Sequence, residues 1–177
     1  MSGGSIIVIA FLAFVAITIF KGVRIVPQGY KWIVQRLGKY HTTLNPGLNF
    51  VIPYVDEVAY KVTTKDIVLD IPSQEVITRD NAVLLMNAVA YINLTTPEKA
   101  VYGIENYSWA IQNLVQTSLR SIVGEMDLDD ALSSRDHIKA RLKSSISDDI
   151  SDWGITLKTV EIQDIKPSIT MQTAMEE

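Results

Sequence analysis

Three groups of polar side chains carry residue types that chemistry can use. They are Arg79-Asp80-Asn81, the acids Asp127, Asp129 and Asp130, and the two histidines His41 and His137. An Arg-Asp-Asn cluster can polarise a substrate oxygen, but the same residues suit a turn of Asx or left-handed geometry. A turn or a polar contact between subunits is the preferred reading, with Arg79 and Asp80 as candidate interface residues. The three acids could suggest Ca²⁺, yet the Gly and terminal Glu spacing of an EF-hand loop is missing. They read instead as helix-start acids favoured by the helix dipole. Asp148, Asp149 and Asp152 read as the solvated face of a later helix. The histidines lie far apart, and the sequence identifies no partner for either. Cysteine is absent, which removes disulfides, thiolate zinc sites and cysteine catalysis. No G-x-S-x-G, H-E-x-x-H, P-loop or G-x-G-x-x-G occurs, and no Ser is paired with a base. A protein without catalysis, cofactor or metal is therefore expected.

The elements that hold these residues begin with an apolar run, Ile6 to Phe20, in which Thr18 is the one polar residue. As a helix it covers roughly 22 Å, short of the ~30 Å hydrocarbon core. Adding Ser2–Ser5 and Gly22–Val26 gives a full span, with Phe11, Phe14 and Phe20 inside it and Lys21 and Arg24 snorkelling at its end. No Lys or Arg precedes the run, and Phe20-Lys21-Gly22-Val23 is a poor cleavage site, so it reads as a retained anchor and not a signal peptide. Lys21, Arg24, Lys31, Arg36 and Lys39 follow with no acid before Asp56. The positive-inside rule then places the following domain in the cytoplasm and the N-terminus outside. Lys21, Arg24 and Lys31 are candidate contacts for anionic headgroups; a purely topogenic role is compatible with that.

The net charge of −4 hides a gradient: residues 21–65 carry seven Lys/Arg and two Asp/Glu, and residues 125–177 carry six and twelve. Nucleic acid is not expected as a partner. Residues 25–94 read as mostly strand: Tyr30–Gln35, Val55–Val62, Ile67–Ile71 ended by Pro72, Gln74–Thr78, and Val83–Leu94, the last apolar on both faces and so buried on both. Residues 95–168 read as a short helix opened by Thr96-Pro97, then a helix with Ile111, Leu114, Val115, Ser118, Leu119, Ile122 and Val123 at helical spacing, stopped by Gly124. A short helix near Asp127 follows, then a longer one with Ile138, Leu142, Ile146, Ile150 and Trp153 on one stripe, then a strand over Thr156–Ile165. Ile169 onward favours helix with no stop signal, which predicts the start of a longer stalk. The expected fold class is α+β, divided as 1–24 anchor, 25–94 membrane-proximal part, 95–168 distal part and 169–177 stalk. Asn93-Leu94-Thr95 and Asn106-Tyr107-Ser108 match glycosylation sequons, which are irrelevant to a cytoplasmic domain.

Between the anchor and the strands lies Leu44-Asn45-Pro46-Gly47-Leu48-Asn49-Phe50-Val51-Ile52-Pro53-Tyr54-Val55-Asp56. Pro46-Gly47 suits a type II turn. As structure alone it is a hairpin corner; beside an anchor, it aims Leu48, Phe50, Ile52 and Tyr54 at lipid, since large exposed apolar patches mark interaction surfaces. Arg120, in the helical stripe region, reads either as a solvated residue or as half of a buried or interface ion pair with Glu125 or Asp129.

These pieces in order, from Val26-Pro27-Gln28-Gly29 and Arg36-Leu37-Gly38-Lys39-Tyr40, through Leu69-Asp70-Ile71-Pro72-Ser73-Gln74 and Val76-Ile77-Thr78-Arg79-Asp80-Asn81, to Leu119-Arg120, Trp153-Gly154-Ile155 and Asp164-Ile165-Lys166-Pro167, resemble the stomatin/prohibitin/flotillin/HflK-HflC (SPFH, or band-7) superfamily. The Leu-Asp-Ile-Pro-Ser-Gln and Trp-Gly-Ile pieces are most similar to its bacterial stomatin-like (paraslipin) branch. The resemblance implies an α+β SPFH domain followed by a helical stalk and an oligomerisation segment. It implies a large homo-oligomeric ring or cage on a bacterial inner membrane, enclosing a lipid microdomain. It also implies regulation of membrane proteases of the FtsH type, or pairing with NfeD-type membrane proteins. The competing reading is a lipid-binding regulatory module of few subunits acting on one membrane partner.

Overall fold

The computed structural model describes residues 2–168; the expected stalk, 169–177, lies outside the described residues. The chain divides into two compact units at Lys65/Asp66, and each is taken by itself.

The first unit opens with α1 (Gly3–Gly22), a helix long and apolar enough to cross a membrane. Its 20 residues correspond to about 30 Å. Its side chains are exposed or half-exposed around the whole circumference, as suits a helix surrounded by lipid. Thr18 Oγ1 donates to the Phe14 carbonyl at 2.8 Å, so the one hydroxyl inside the run finds its partner within the helix, where lipid would offer none. The helix does not continue through Val26 as the hydropathy alone suggests. Val23, Ile25 and Val26 belong to a strand, β1 (Val23–Val26), in keeping with the preference of β-branched residues for extended backbone.

Four further strands complete this unit: β2 (Tyr30–Arg36), β3 (Lys39–Leu44), β4 (Gly47–Phe50) and β5 (Asp56–Thr63). β1 and β4 form one antiparallel pair, and β3-β2-β5 a second antiparallel sheet with β2 in the centre. The stretch before Asp56 is therefore strand in its first half and loop only beyond Phe50. Val26, Val34, Leu44 and Val51 are buried together, with Trp32 and Val58 packed on them. Ile33 and Val34 are both buried although they are neighbours, because the pairing of β2 with β5 slips between them; a bulge re-aims one side chain out of strict alternation.

The second unit is a three-stranded antiparallel sheet, β6 (Ile67–Ile77), β7 (Val83–Asn93) and β8 (Thr156–Pro167), ordered β6-β7-β8. Between β7 and β8 run α2 (Pro97–Gly103), α3 (Tyr107–Gly124), α4 (Leu128–Ser133) and α5 (Arg135–Ser151). Pro72 does not end a strand. β6 passes through it as an edge strand whose pairing with β7 skips Pro72 and Ser73, the position where a residue without an N–H is tolerated. β7 thus joins β8 in one sheet, so the compact unit begins at Asp66 and not after Leu94. One face of β7, Leu84, Met86, Ala88, Ala90 and Ile92, is fully buried. The other is only partly covered, with Tyr91 exposed.

The helical stripes supply the rest of this core. Ile111, Val115, Leu119 and Ile122 of α3, and Ile138, Leu142, Ile146 and Ile150 of α5, are buried, each set following the three-to-four residue spacing of one helix face. α3 lies against β6 and α5 against β8. Asn106 caps α3 by accepting from the Trp109 N–H at 3.1 Å, which satisfies one of the orphan donors of the first turn. Gly154 ends α5's exit at φ +68, where a Cβ would stand 2.5 Å from the Thr96 carbonyl oxygen. Thr96 N–H donates to the Gly154 carbonyl at 2.9 Å. No other residue type fits that approach without moving backbone.

Candidate membrane-contact and assembly surfaces

The end of α1 is fused to the apolar stretch that follows Pro46. Val51 N–H donates to the Gly22 carbonyl at 2.7 Å, taking up one of the acceptors a helix leaves open at its C-terminus. Gly22 is buried, and a Cβ there would meet the Val51 carbonyl at 2.6 Å and the Phe50 ring at 2.7 Å. A glycine is what lets Phe50 close on the last turn. Arg24 Nη1 curls back to donate to the carbonyls of Lys21 at 2.7 Å and Val23 at 3.2 Å, a cation at the negative end of the helix dipole.

In the β1–β4 pair Val23 stands opposite Phe50 and Ile25 opposite Leu48. Directly opposed residues share a face, so these four side chains form one apolar surface. Ile25 is 69% exposed, Leu48 76%, Phe50 60% and Tyr54 73%, and Ile52 is exposed beside them. Gly47, at φ +116, starts β4 and turns the chain toward the helix end. The structure thus sets Leu48, Phe50, Ile52 and Tyr54 at the end of α1 beside Lys21 and Arg24, and Phe20 is exposed on the last turn of α1. Phe11 and Phe14 are exposed further along α1. Lys31 lies near the start of β2, opposite Val62 of β5. Ile25 and Val23 are members of this surface that the sequence reading absorbed into the anchor; their alternation with Arg24 was the available signal.

The loop beyond Phe50 is clasped by Asp56. Its carboxylate accepts from Arg36 Nε at 2.7 Å and Nη2 at 3.1 Å and from the Ile52 N–H at 3.0 Å, while Asp56 N–H donates to the Ile52 carbonyl at 2.9 Å. The Asp56 side chain is nearly covered. The Arg36 hydrogen bonds, with the Ile52 N–H adding to them, hold its pKa down to about 2. Inside this clasp Tyr54 sits at φ +68, a left-handed conformation that costs a non-glycine residue roughly 1–2 kcal/mol. Its ring lies 5.7 Å from Lys21 Nζ, within reach of a cation–π contact. An exposed tyrosine held against its backbone preference at the mouth of a membrane-length helix suits the water–lipid boundary, where one end of the ring is wet and the other apolar.

A family profile described as SPFH domain / Band 7 family matches residues 24–177. The chain belongs to that family. It is 40% identical over 157 residues to an uncharacterized protein of Methanocaldococcus jannaschii, covering 89% of this chain and 78% of that protein. It is 36% identical over 177 residues to an uncharacterized protein of Mycobacterium tuberculosis strain H37Rv (98% of this chain, 46% of the relative). To human mitochondrial stomatin-like protein 2 it is 37% identical over 157 residues (85% of this chain, 44% of the relative). The chain spans about half the length of the mycobacterial and human relatives it matches. SPFH-domain proteins of the stomatin-like kind are in general membrane-associated, non-catalytic scaffolds, which accords with the α1 helix and its apolar foot.

The second set of candidate residues lies within the 66–177 unit of this SPFH chain, and each has an intramolecular partner. Arg79 Nη2 meets Asp127 Oδ2 at 2.6 Å and its Nε meets Oδ1 at 3.1 Å, a two-point pair that raises the guanidinium pKa. Asp80 accepts from the Thr78 hydroxyl and from the Leu128 N–H at 3.2 Å; the Thr78 hydrogen bond is the main cause of its lowered pKa. Arg79 and Asp80 therefore tie the β6–β7 turn, where Asn81 takes φ +66, to the start of α4. Arg120 Nη2 donates to Gln74 Oε1 at 3.0 Å and meets neither of the acids considered for it. Glu125 is engaged by Arg141 at 2.8 Å. Gln74 and Gln112 in turn reach the Gln116 and Asp70 carbonyls, so polar side chains brace α3 on the edge strand β6. Among the described residues no cluster of His, Cys, Asp or Glu could hold a metal ion. His41 and His137 are exposed.

Proposed function

We propose that this chain is the membrane-proximal part of a scaffold that assembles many copies of itself side by side on a bacterial inner membrane, enclosing a patch of bilayer. The observation that carries this reading is the fusion of the exposed Ile25–Leu48–Phe50–Tyr54 surface to the end of α1. A helix alone would only tether the domain. A helix with an apolar foot at its end fixes the domain's height and tilt on the lipid surface. Copies fixed at one height meet edge to edge, and many weak lateral contacts then add up without any one of them being strong. The flanking Lys21, Arg24, Lys31, Arg36 and Lys39 favour the cytoplasmic side, with the lipid headgroups as the first partner. By the family resemblance, the enclosed or regulated client is a membrane protease of the FtsH type or an NfeD-type membrane protein. The domain contributes no catalysis.

The test is single-particle imaging of the protein extracted with its native lipid in a mild detergent. Closed rings or cages of many subunits are expected. Small discrete particles would overturn the enclosure mechanism and favour a lipid-binding regulator of few subunits.

A further inference from the structure

A second turn stands beside the foot. β2 and β3 are joined by Leu37-Gly38, with φ +52 at Leu37 and +82 at Gly38. A two-residue hairpin with positive φ at both positions is a type I′ turn, usually made with Asn, Asp or Gly. Leucine is a poor residue for that backbone and, at 83% exposure, gains nothing from this chain's own core. The same conflict recurs at Tyr54, and besides Asn81 these two are the residues other than glycine with positive φ among those described. Both present a large apolar side chain to the outside. They are also neighbours: Leu37 N–H donates to the Val55 carbonyl at 3.3 Å, and the flanking residues Arg36 and Asp56 are paired in register and joined by the two-point ion pair. Tyr54 in turn lies under Lys21 at the end of α1.

We propose that the Leu37-Gly38 hairpin tip is a second lipid-inserting point, set by the Arg36–Asp56 pair at the level of Tyr54. This rests on the reading of the foot as a lipid contact. The occupant is a bilayer surface because the tip is tied, through Val55 and Tyr54, to the very end of the membrane-length helix. Lys21 and Lys39, exposed on either side, suit anionic headgroups. Backbone strain that the isolated domain does not repay is repaid by burying Leu37 among acyl chains.

The chain has no cysteine, so Leu37→Cys and Tyr54→Cys give single labelling sites for an environment-sensitive fluorophore in the full chain. The labelled protein is reconstituted into phosphatidylcholine/phosphatidylglycerol vesicles and quenched in parallel by nitroxide-bearing phospholipid and by a water-soluble nickel chelate. The expected result is a blue-shifted emission at both sites, quenched by the lipid nitroxide and protected from the chelate. Lipid quenching at Tyr54 with chelate quenching at Leu37 would overturn the hairpin proposal and leave the foot in place. Chelate quenching at both would overturn both. Protection of Leu37 from both quenchers would place it against a second protein copy and overturn the lipid assignment. Leu37→Asn supplies the control for folding: it suits the left-handed turn, so it should leave the thermal melt unchanged or raised while moving a label at Tyr54 toward water.

Discussion

The two units of the chain treat their large apolar side chains in opposite ways. In 66–177 the isoleucines and leucines of α3 and α5 are spent inside, with α3 against β6 and α5 against β8. Exposed apolar residues there, such as Val68, Tyr102, Trp109 and Leu132, sit on different elements. In 1–65 the buried apolar residues are few: Val26, Ile33, Val34, Leu44, Val51 and Val62. Outside this set, exposed apolar side chains cover α1 and continue onto the β1–β4 pair at Ile25, Leu48 and Phe50. A small unit with so little buried inside is not built to be finished by its own packing. In the proposed membrane scaffold, lipid completes what the protein core leaves open, and the residue types that stabilise one unit attach the other.

Identical chemistry at the two places should therefore fail in different assays. Leu142→Ala opens a cavity beneath α5, where Leu142 is fully buried, and should lower unfolding free energy by about 2–5 kcal/mol. Urea titration followed by circular dichroism measures it. In the first unit, Leu48→Asp and Ile25→Asp should leave the urea midpoint within error of wild type. In a chain beginning at Lys21, which keeps β1 whole, each should weaken liposome flotation by about tenfold or more, the equivalent of losing one buried aliphatic side chain. Equal flotation of the mutant and wild-type chains would remove the foot from the membrane; a lowered midpoint would make these residues core after all.

How much of this contrast was visible in the sequence follows from how local each signal is. The stripes Ile138-Leu142-Ile146-Ile150 and Ile111-Val115-Leu119 were legible because helical spacing lies within one element. The exposed apolar set Leu48, Phe50, Ile52 and Tyr54 was legible because no helix can run through Pro46 and Pro53 beside an anchor. Val23 to Val26 was not, since β-branched apolar residues extend a hydropathy run and fill a strand equally well; the deciding partner is β4, more than twenty residues on. Pro72 misled for a related reason: only the sheet order reveals β6 as an edge that can carry it. The Arg36–Asp56 clasp, the strained Leu37 and the true partner of Arg120 depend on contacts between distant positions, and composition and periodicity do not encode those.

The clasp gives the comparison a pH axis. The folded pKa of Asp56 is depressed to about 2, against about 3.9 for a free aspartate. The stability it contributes is complete above the unfolded value and is lost as pH falls through the folded one. The difference in stability between wild type and Asp56→Asn should thus be constant from neutral pH down to about 5 and shrink between about 4 and 2. Urea titrations at stepped pH read it, following the emission of Trp32, which packs on the first unit's core. A difference that stays flat to pH 2 would mean that Asp56 is not the group whose charge holds the loop.

The smallest effect on folding is expected at Arg79, and it separates two roles for one residue. Both Arg79 and Asp127 are largely exposed, and ion pairs in that setting add little to stability because water screens them and two side chains must be held still. Arg79→Ala should leave the melting curve of the second unit almost unmoved, as should Asp127→Ala. If the pair only ties the β6–β7 turn to α4, assembly size by light scattering is unmoved too. If Arg79 also reaches a neighbouring copy, Arg79→Ala shrinks the assembly while Asp127→Ala, which frees the guanidinium, enlarges or preserves it. Opposite responses from the two halves of one ion pair could not come from the turn alone, because breaking the pair from either side loosens the turn equally.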